Sequence, residues 1–555
     1  MSSSPRPLLL LVFLFYLAVT SVATYPLILR LETAVIDFGD PLLNSWILAW
    51  NGRALLHDPL RLFDTNIFYP HRWTLAYSEL LIVPSLLGLP VTLLSGNPIL
   101  THNLLLFSSY PLSAFAVYLL VVSLTGDRRA GLVSGLIFAF ASFRVSRLGQ
   151  LQIQLGYWIP LAFYFLHRFV HTTRWRDLGL FALMAVAQAL SNGHYGYYLA
   201  LAVALFLALT ALLDPASQRF ILWGRLGVGG VLALAAVLPF FLPYWWARAE
   251  VGLVRSLEEV AFYSARLESY LAAPRGNFLY GALTASFRRP EGELFTGFVA
   301  VALAIFALWP RLPQARVRIF YLALTLMGLT LSLGPTLQAF GIEGGWLPYS
   351  TFYEWLPGFR SLRAPARFAV LVMLGLAVLA GFGLSWLLRA LSPRWARLVA
   401  LSVAGLVSLE FFSAPLPFRE FPREIPPVYQ WLATQPEDVL IAELPAPGDS
   451  GHLQREAVRV YYSTVHWQRM INGYSGFFPP GFWEQNLLLR TFPSRESLAR
   501  LQELGVRYVI LRGYSPADLA WVLQRLPQDE FVGPPRPLGD AMVLQLPPGM
   551  GKDKN

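Results

Sequence analysis

The feature that most constrains this chain is a series of long apolar runs with almost no ionisable residue inside them. They recur along residues 8–29, 99–125, 130–148, 155–170, 178–190, 195–213, 220–246, 294–309, 319–333, 366–388 and 398–412. In a hydrocarbon layer no water satisfies backbone N–H and C=O groups, so such runs must be helices. Composition agrees: 55% of the 555 residues are hydrophobic and only 14% are charged, where soluble domains carry about 25%. The expected fold is mainly α, a polytopic transmembrane protein of about eleven spans. The first run is too long for a typical signal-peptide core, and Ser21-Val22-Ala23 is a weak cleavage signal, so it reads as the first span. The stretch 80–94 is short and holds Pro84 and Pro90. It reads as re-entrant or interfacial, because counting it as a crossing would invert every later loop; the other repair keeps it as a crossing and demotes one later short helix.

Arginine sets the expected orientation. Short loops carrying Arg128/Arg129, Arg168/Arg174/Arg176, Arg219/Arg225, Arg311/Arg316/Arg318 and Arg389/Arg394/Arg397 alternate with turns at 96–98 and 192–194 that have no Lys or Arg. The positive-inside rule puts the arginine-rich set in the cytoplasm. The N-terminus is then cytoplasmic, and segments 31–78, 247–290 and 335–365 lie outside with the tail after Phe412. Net charge is +10, and the only lysines are Lys552 and Lys554. The cations sit in short loops without a basic, aromatic-interleaved stretch, so a nucleic-acid partner is not expected. The absence of cysteine rules out disulfides, thiol catalysis and thiolate metal sites.

From about residue 414 charge rises and apolar runs shorten. Residues 428–434 and 494–504 read as helices, the latter after an N-cap-like Ser494. Residues 439–443, 506–511 and 541–546 read as strands. The expected organisation is a transmembrane domain, 1–413, followed by a small soluble α/β domain, 414–555, outside the cytoplasm.

Three groups of polar residues suggest chemistry on the outer face. Asp37 and Asp40 follow the first span. Asp40-Pro41 reads as a helix cap with proline at the first helical position, and Trp46, Trp50 and the leucines suit a helix lying on the membrane surface. Two carboxylates so placed can act as a general base or hold a divalent cation; the other role open to them is a cap plus a solvated acid. Arg144 and Arg147, and Arg363 and Arg367, stand near the outer ends of spans. An arginine there needs a partner. A lipid phosphate suits the guanidinium fork, and snorkelling or an ion pair with a loop carboxylate is the alternative. His194, in an outer turn, fits either a substrate contact or a structural interfacial role. No dinucleotide, P-loop, zinc-protease or serine-hydrolase motif occurs. Cytosolic nucleotide cannot feed outer-face chemistry, whereas an activated substrate carried on a membrane lipid can.

This layout of one span, an acidic outer loop, many further spans and an outer soluble domain resembles the GT-C superfamily of integral membrane glycosyltransferases. A bacterial GT-C-like subgroup is matched by Gly39-Asp40-Pro41-Leu42-Leu43-Asn44-Ser45-Trp46, Asn66-Ile67-Phe68-Tyr69-Pro70 and Thr74-Leu75-Ala76-Tyr77-Ser78-Glu79. Arg363-Ala364-Pro365-Ala366-Arg367-Phe368, Asn472-Gly473-Tyr474-Ser475-Gly476 and Leu504-Gly505-Val506-Arg507-Tyr508-Val509 match it as well. The resemblance implies a sugar donor linked to polyprenyl phosphate, an acidic base in the first outer loop, and a glycan, lipid or protein acceptor outside the cell membrane. Asp40 takes the base role, Asp37 or Glu79 assists, and the arginines hold the donor's phosphate. The subgroup carries Asp where Asn51 stands and His where Leu80 and Gln150 stand, which removes those three positions from the expected site. A non-catalytic flippase of lipid-linked glycans or an envelope assembly factor uses the same architecture without a base. The scarcity of ionisable residues inside the spans speaks against a transport path.

Overall fold

The computed structural model describes residues 6–213, 220–309 and 313–547; Arg219, Arg311, Lys552 and Lys554 lie outside the described residues. Every apolar run is helical over most of its length. Among the described residues six helices are long and apolar enough to cross a membrane: Arg6–Ala23, Pro98–Thr125, Gly193–Leu213, Phe220–Val251, Ala315–Ser332 and Pro365–Arg389. Other runs give shorter helices. Residues 130–148 break after Arg128–Ala139 into a four-residue turn of helix, Ser142–Val145. The run 294–309 is a nine-residue helix, Phe298–Phe306, about 14 Å long, and the re-entrant candidate is the 14-residue helix Ile82–Ser95, about 21 Å. The chain is a mainly helical, multi-pass membrane protein.

The chain divides into two compact units. The first comprises Met1–Leu31, Asn103–Pro239 and Val254–Pro417. Its centre is the helix Ala369–Arg389, apolar all round and buried along nearly its whole length, as expected of a helix surrounded by others. Arg128–Ala139, Phe298–Phe306, Ala315–Ser332 and Pro393–Phe411 pack on it. A second layer, Trp158–Thr172, Trp175–Ser191 and Gly193–Leu213, joins through contacts of its first and last helices with Ala315–Ser332. The first helix is fixed by Tyr16, whose hydroxyl donates to the Leu132 carbonyl at 2.9 Å.

The second unit comprises Glu32–His102, Phe240–Leu253 and Phe418–Asn555. It holds a five-stranded sheet in the order Arg469–Met470, Leu440–Leu444, Tyr508–Arg512, Ala541–Gln545, Arg536–Leu538. The first three strands run parallel and the last two antiparallel to their neighbours. Leu440–Leu444 is buried at every position, the pattern of a strand covered on both faces. The helices Pro427–Ala433 and Arg495–Glu503 form where the sequence places them, and the Ser494 hydroxyl caps the second by accepting from the Ser497 N–H.

The helix Asp40–His57 departs from expectation. It is not a surface helix: Pro41 to Ala49, Asn51, Gly52 and Ala54 are all buried, with Trp46 at 1% exposure. Ile82–Ser95 packs on it from one side and Leu453–His466, from the tail, from another. Its apolar residues therefore face protein rather than lipid headgroups. The cap also differs. Gly39 is the N-cap, with no side-chain cap bond, and Asp40 is the first helical residue.

Candidate functional site

The predicted carboxylates belong to the second unit and the predicted basic residues to the first. In the second unit Asp37 and Asp40 flank Gly39. Asp37 Oδ1 accepts from the Gly39 N–H at 2.7 Å, closing a small turn before the helix. Asp40 Oδ1 accepts a hydrogen bond of 3.0 Å from the Tyr474 hydroxyl. Both acids are half-buried. Burial pushes the Asp37 carboxyl up, the Gly39 N–H opposes that, the charge of Asp40 adds to the rise and Arg419 offsets it. Glu79 is half-buried and follows Ser78, whose carbonyl accepts from the Tyr244 hydroxyl at 2.7 Å.

Three further matched motifs meet here. Residues 66–69 run beside the strand Arg469–Met470: the Met470 N–H donates to Asn66 O at 2.8 Å, Tyr69 N–H to Met470 O at 3.0 Å, and Phe68 N–H to Asn472 O at 3.0 Å. Gly473 lies flat on the Phe68 ring, where an added Cβ would come within 2.4 Å of the ring carbons. Phe68 holds a left-handed backbone, φ 62°, costing about 1–3 kcal/mol for a non-glycine residue. Further along, Phe477 N–H donates to Tyr77 O at 3.1 Å. The 472–477 segment is thus clamped on both sides of Tyr474.

Behind it stands a buried ionic network. Arg459, 1% exposed, pairs with Glu443 at 3.2 Å and with Glu456. Tyr429 donates to Glu443 at 2.9 Å. Asn472 donates to the Glu443 carbonyl at 2.9 Å and to Glu456 at 3.0 Å, and accepts from the Glu443 N–H at 2.8 Å. Burial pushes the Glu443 carboxyl up, and Arg459 opposes it. His466, also buried, stacks on Tyr429 with ring centres 5.9 Å apart. Burial lowers it to about 3, so it is a neutral core histidine.

In the first unit the arginines have protein partners. Glu291, from the 252–297 loop, pairs with Arg147 at 3.1 Å and Arg367 at 2.8 Å. Although burial alone pushes its carboxyl up, Arg367 and then Arg147 outweigh it and hold Glu291 below the usual range. Glu291 keeps a left-handed backbone, φ 59°. A small pocket opens here, lined by Phe143, Ser146, Arg147, Ile153, Glu291 and Arg367 among others. Arg363 pairs with Glu259 at 2.9 Å, donates to the Tyr263 hydroxyl at 2.7 Å and leaves its side chain 41% exposed. The alternative of a carboxylate as arginine partner is therefore realised for Arg147, Arg363 and Arg367, with Glu259 on the short helix Leu257–Phe262. Arg144 is buried over Tyr110 and donates to Ala139 O, Ser109 Oγ and Gln154 O at 2.9 Å each. It braces the turn that carries Arg147. His194 is the second residue of the helix Gly193–Leu213 and is half-buried.

Two positions set aside on sequence grounds have structural work. Asn51 is buried and donates to Leu80 O at 2.7 Å and Ser85 Oγ at 3.0 Å, and Gln150 accepts from Arg367 at 3.2 Å. Glu291 and Glu259 were not singled out in the sequence. The need of outer-face arginines for an anion was the available signal. Tyr474 stood within a matched motif, but nothing local tied it to Asp40. Asp37 and Asp40 are the acids a divalent cation would use; among the described residues no three or more His, Asp or Glu stand together as a ready-made cation site.

The fold is that of the GT-C membrane glycosyltransferases. The particular likeness is to the arabinofuranosyltransferase AftD from Mycobacteria, at TM-score 0.64 and 15% identity over 100% of this chain and 40% of that one. A mutant form of AftD gives 0.63 at 16% identity, covering 98% of this chain and 42% of that one. The chain thus spans about two fifths of the length of the AftD chain. ArnT from Cupriavidus metallidurans, bound to undecaprenyl phosphate, gives 0.49 at 13% identity, with 98% of both chains covered. No family model and no curated protein matches the sequence.

Proposed function

We propose that the chain is a membrane glycosyltransferase that moves a sugar from a polyprenyl-phosphate-linked donor to a glycan, lipid or protein acceptor outside the cytoplasm. The observation that carries this reading is a half-buried carboxylate, Asp40, held by a tyrosine at the start of a buried helix within a GT-C fold. Asp40 takes the proton from the acceptor hydroxyl. The freed oxygen attacks the anomeric carbon, the bond from that carbon to the phosphate oxygen breaks, and the electron pair leaves with the polyprenyl phosphate. A positioned base of this kind contributes about 10²–10⁴-fold in rate.

Asp37, beside Asp40 in the turn that opens the helix, and Glu79, a further carboxylate of the same unit, assist the base. Arg363 and Arg367 hold the donor's phosphate. Arg363 is the more open of the two, and Arg147 and Arg367 together outnumber the single charge of Glu291, leaving a net positive patch for an anion. Arg144 and His194 support that region. In this reading the chain sits in a bacterial inner membrane with about eleven spans, its N-terminus cytoplasmic and residues 414–555 forming a soluble α/β domain outside.

The test is turnover of a panel of farnesyl-phosphoryl pentoses and hexoses, including arabinofuranose, by purified protein in liposomes with a deproteinised envelope extract as acceptor source. Release of farnesyl phosphate that depends on acceptor supports transfer. Movement of intact donor across the bilayer without release supports a flippase instead.

A further inference from the structure

We infer that Tyr474 is a positioning residue for the base: its hydroxyl fixes the orientation of the Asp40 carboxylate and stabilises its charged form, so that the tail loop 472–477 takes part in setting the reactive geometry. The inference rests on the reading of Asp40 as base.

The geometry behind it is a chain of constraints ending on one oxygen. The Tyr474 hydroxyl donates to Asp40 Oδ1 at 3.0 Å, and a charge-assisted bond of this kind is about twice as strong as a neutral one. The tyrosine cannot swing freely. Asn472, two residues earlier, is held through both amide atoms by Glu443 and Glu456, and Arg459 fixes those acids. Gly473 is pressed on the Phe68 ring, and Phe477 N–H is tied to Tyr77 O. On the acid's side, Gly39 leaves room for the hydroxyl: a Cβ there would stand 3.2 Å from it and 3.1 Å from Asp37 Oδ1. At the turn the charge of Asp40 acts on Asp37, and Arg419, paired across from Val35, offsets that effect. Of the helices packed on Asp40–His57, Ile82–Ser95 has no charged residue, and Leu453–His466 commits Glu456 and Arg459 to the Asn472 network.

A structural tyrosine and a positioning tyrosine predict different pH behaviour. Removing a donor to a carboxylate disfavours its charged form. Tyr474→Phe keeps the ring and is expected to lower kcat about tenfold and to move the acid limb of the pH–rate profile up. Replacement of Tyr474 by 3-fluorotyrosine, a stronger donor of nearly the same shape, moves that limb down. Both are measured in the farnesyl-phosphoryl sugar assay beside Asp40→Asn. If Asp40→Asn is inactive while Tyr474→Phe keeps the wild-type rate and acid limb, the inference fails and the base survives. A slower Tyr474→Phe with an unmoved acid limb also overturns it, since packing alone then explains the loss. If Asp40→Asn works at the wild-type rate, it is the reading of Asp40 that fails.

Discussion

Nη2 of Arg367 lies 2.8 Å from Oε1 of Glu291, and the same carboxylate pairs with Arg147 at 3.1 Å. Glu291→Gln leaves two arginines without that carboxylate, so unfolding stability falls by about 3–5 kcal/mol. The pH dependence has a definite sign. Glu291 is held below its ordinary value of 4.5. Its contribution is therefore fully present above about pH 4.5 and is lost as pH falls through the lower folded value. Thermal unfolding in detergent should show wild type losing its advantage over Glu291→Gln on acidification, and equal midpoints at neutral pH would refute the pairing.

Arg144 and Arg363 should respond differently to lysine. Arg144 spends several donors inside the first unit, and an ammonium cannot reproduce that fork. Arg144→Lys is expected to lower the melting temperature by several degrees. Arg363, with its side chain 41% exposed, is in an ion pair of little structural worth. Arg363→Lys should melt like wild type and raise KM for the lipid donor with a smaller change in kcat. The two measurements together separate a brace from a ligand contact.

Asn472 links the ionic network to the Asp40 loop. Asn472→Ala deletes three hydrogen bonds of 2.8–3.0 Å and leaves buried polar atoms unmatched, at about 1–3 kcal/mol each. The expected result is lower stability together with a drop in transfer. Asn472→Ala with wild-type stability would mean the clamp is not formed in solution.

Reporter fusions test the orientation. Fusions at Arg128, Arg174, Arg316 and Arg394 should report the cytoplasm, and a fusion after Leu546 the outside. A cytoplasmic signal after Leu546 would put Asp40's tail-borne partner on the wrong side for a lipid-linked donor.

What was legible in the sequence follows the range of the forces involved. Apolar runs long enough to need lipid announced their helices, because hydrophobic burial and backbone satisfaction act locally. The strands 440–444, 508–512 and 541–545 were legible from short apolar runs for the same reason. The surroundings of Asp40–His57 were not. Trp46 and its leucines look alike whether they meet headgroups or protein, and the helix that covers them, Leu453–His466, lies some four hundred residues on. The arginines could be read as needing an anion, yet their partner Glu291 sits in a polar loop where nothing distinguishes it from a solvated acid. Tyr474 met Asp40 across 434 positions, a separation that no period or spacing spans.

The central claim is that Asp40 takes the proton in sugar transfer. Its most direct test is the rate of farnesyl phosphate release by Asp40→Asn, at matched protein level and confirmed fold, against wild type. Asn keeps the size of the side chain and can still bond to Tyr474, so the account predicts a folded protein with transfer reduced by about 10²–10⁴-fold. Transfer at the wild-type rate would contradict it and leave Asp40 a structural residue at a helix start.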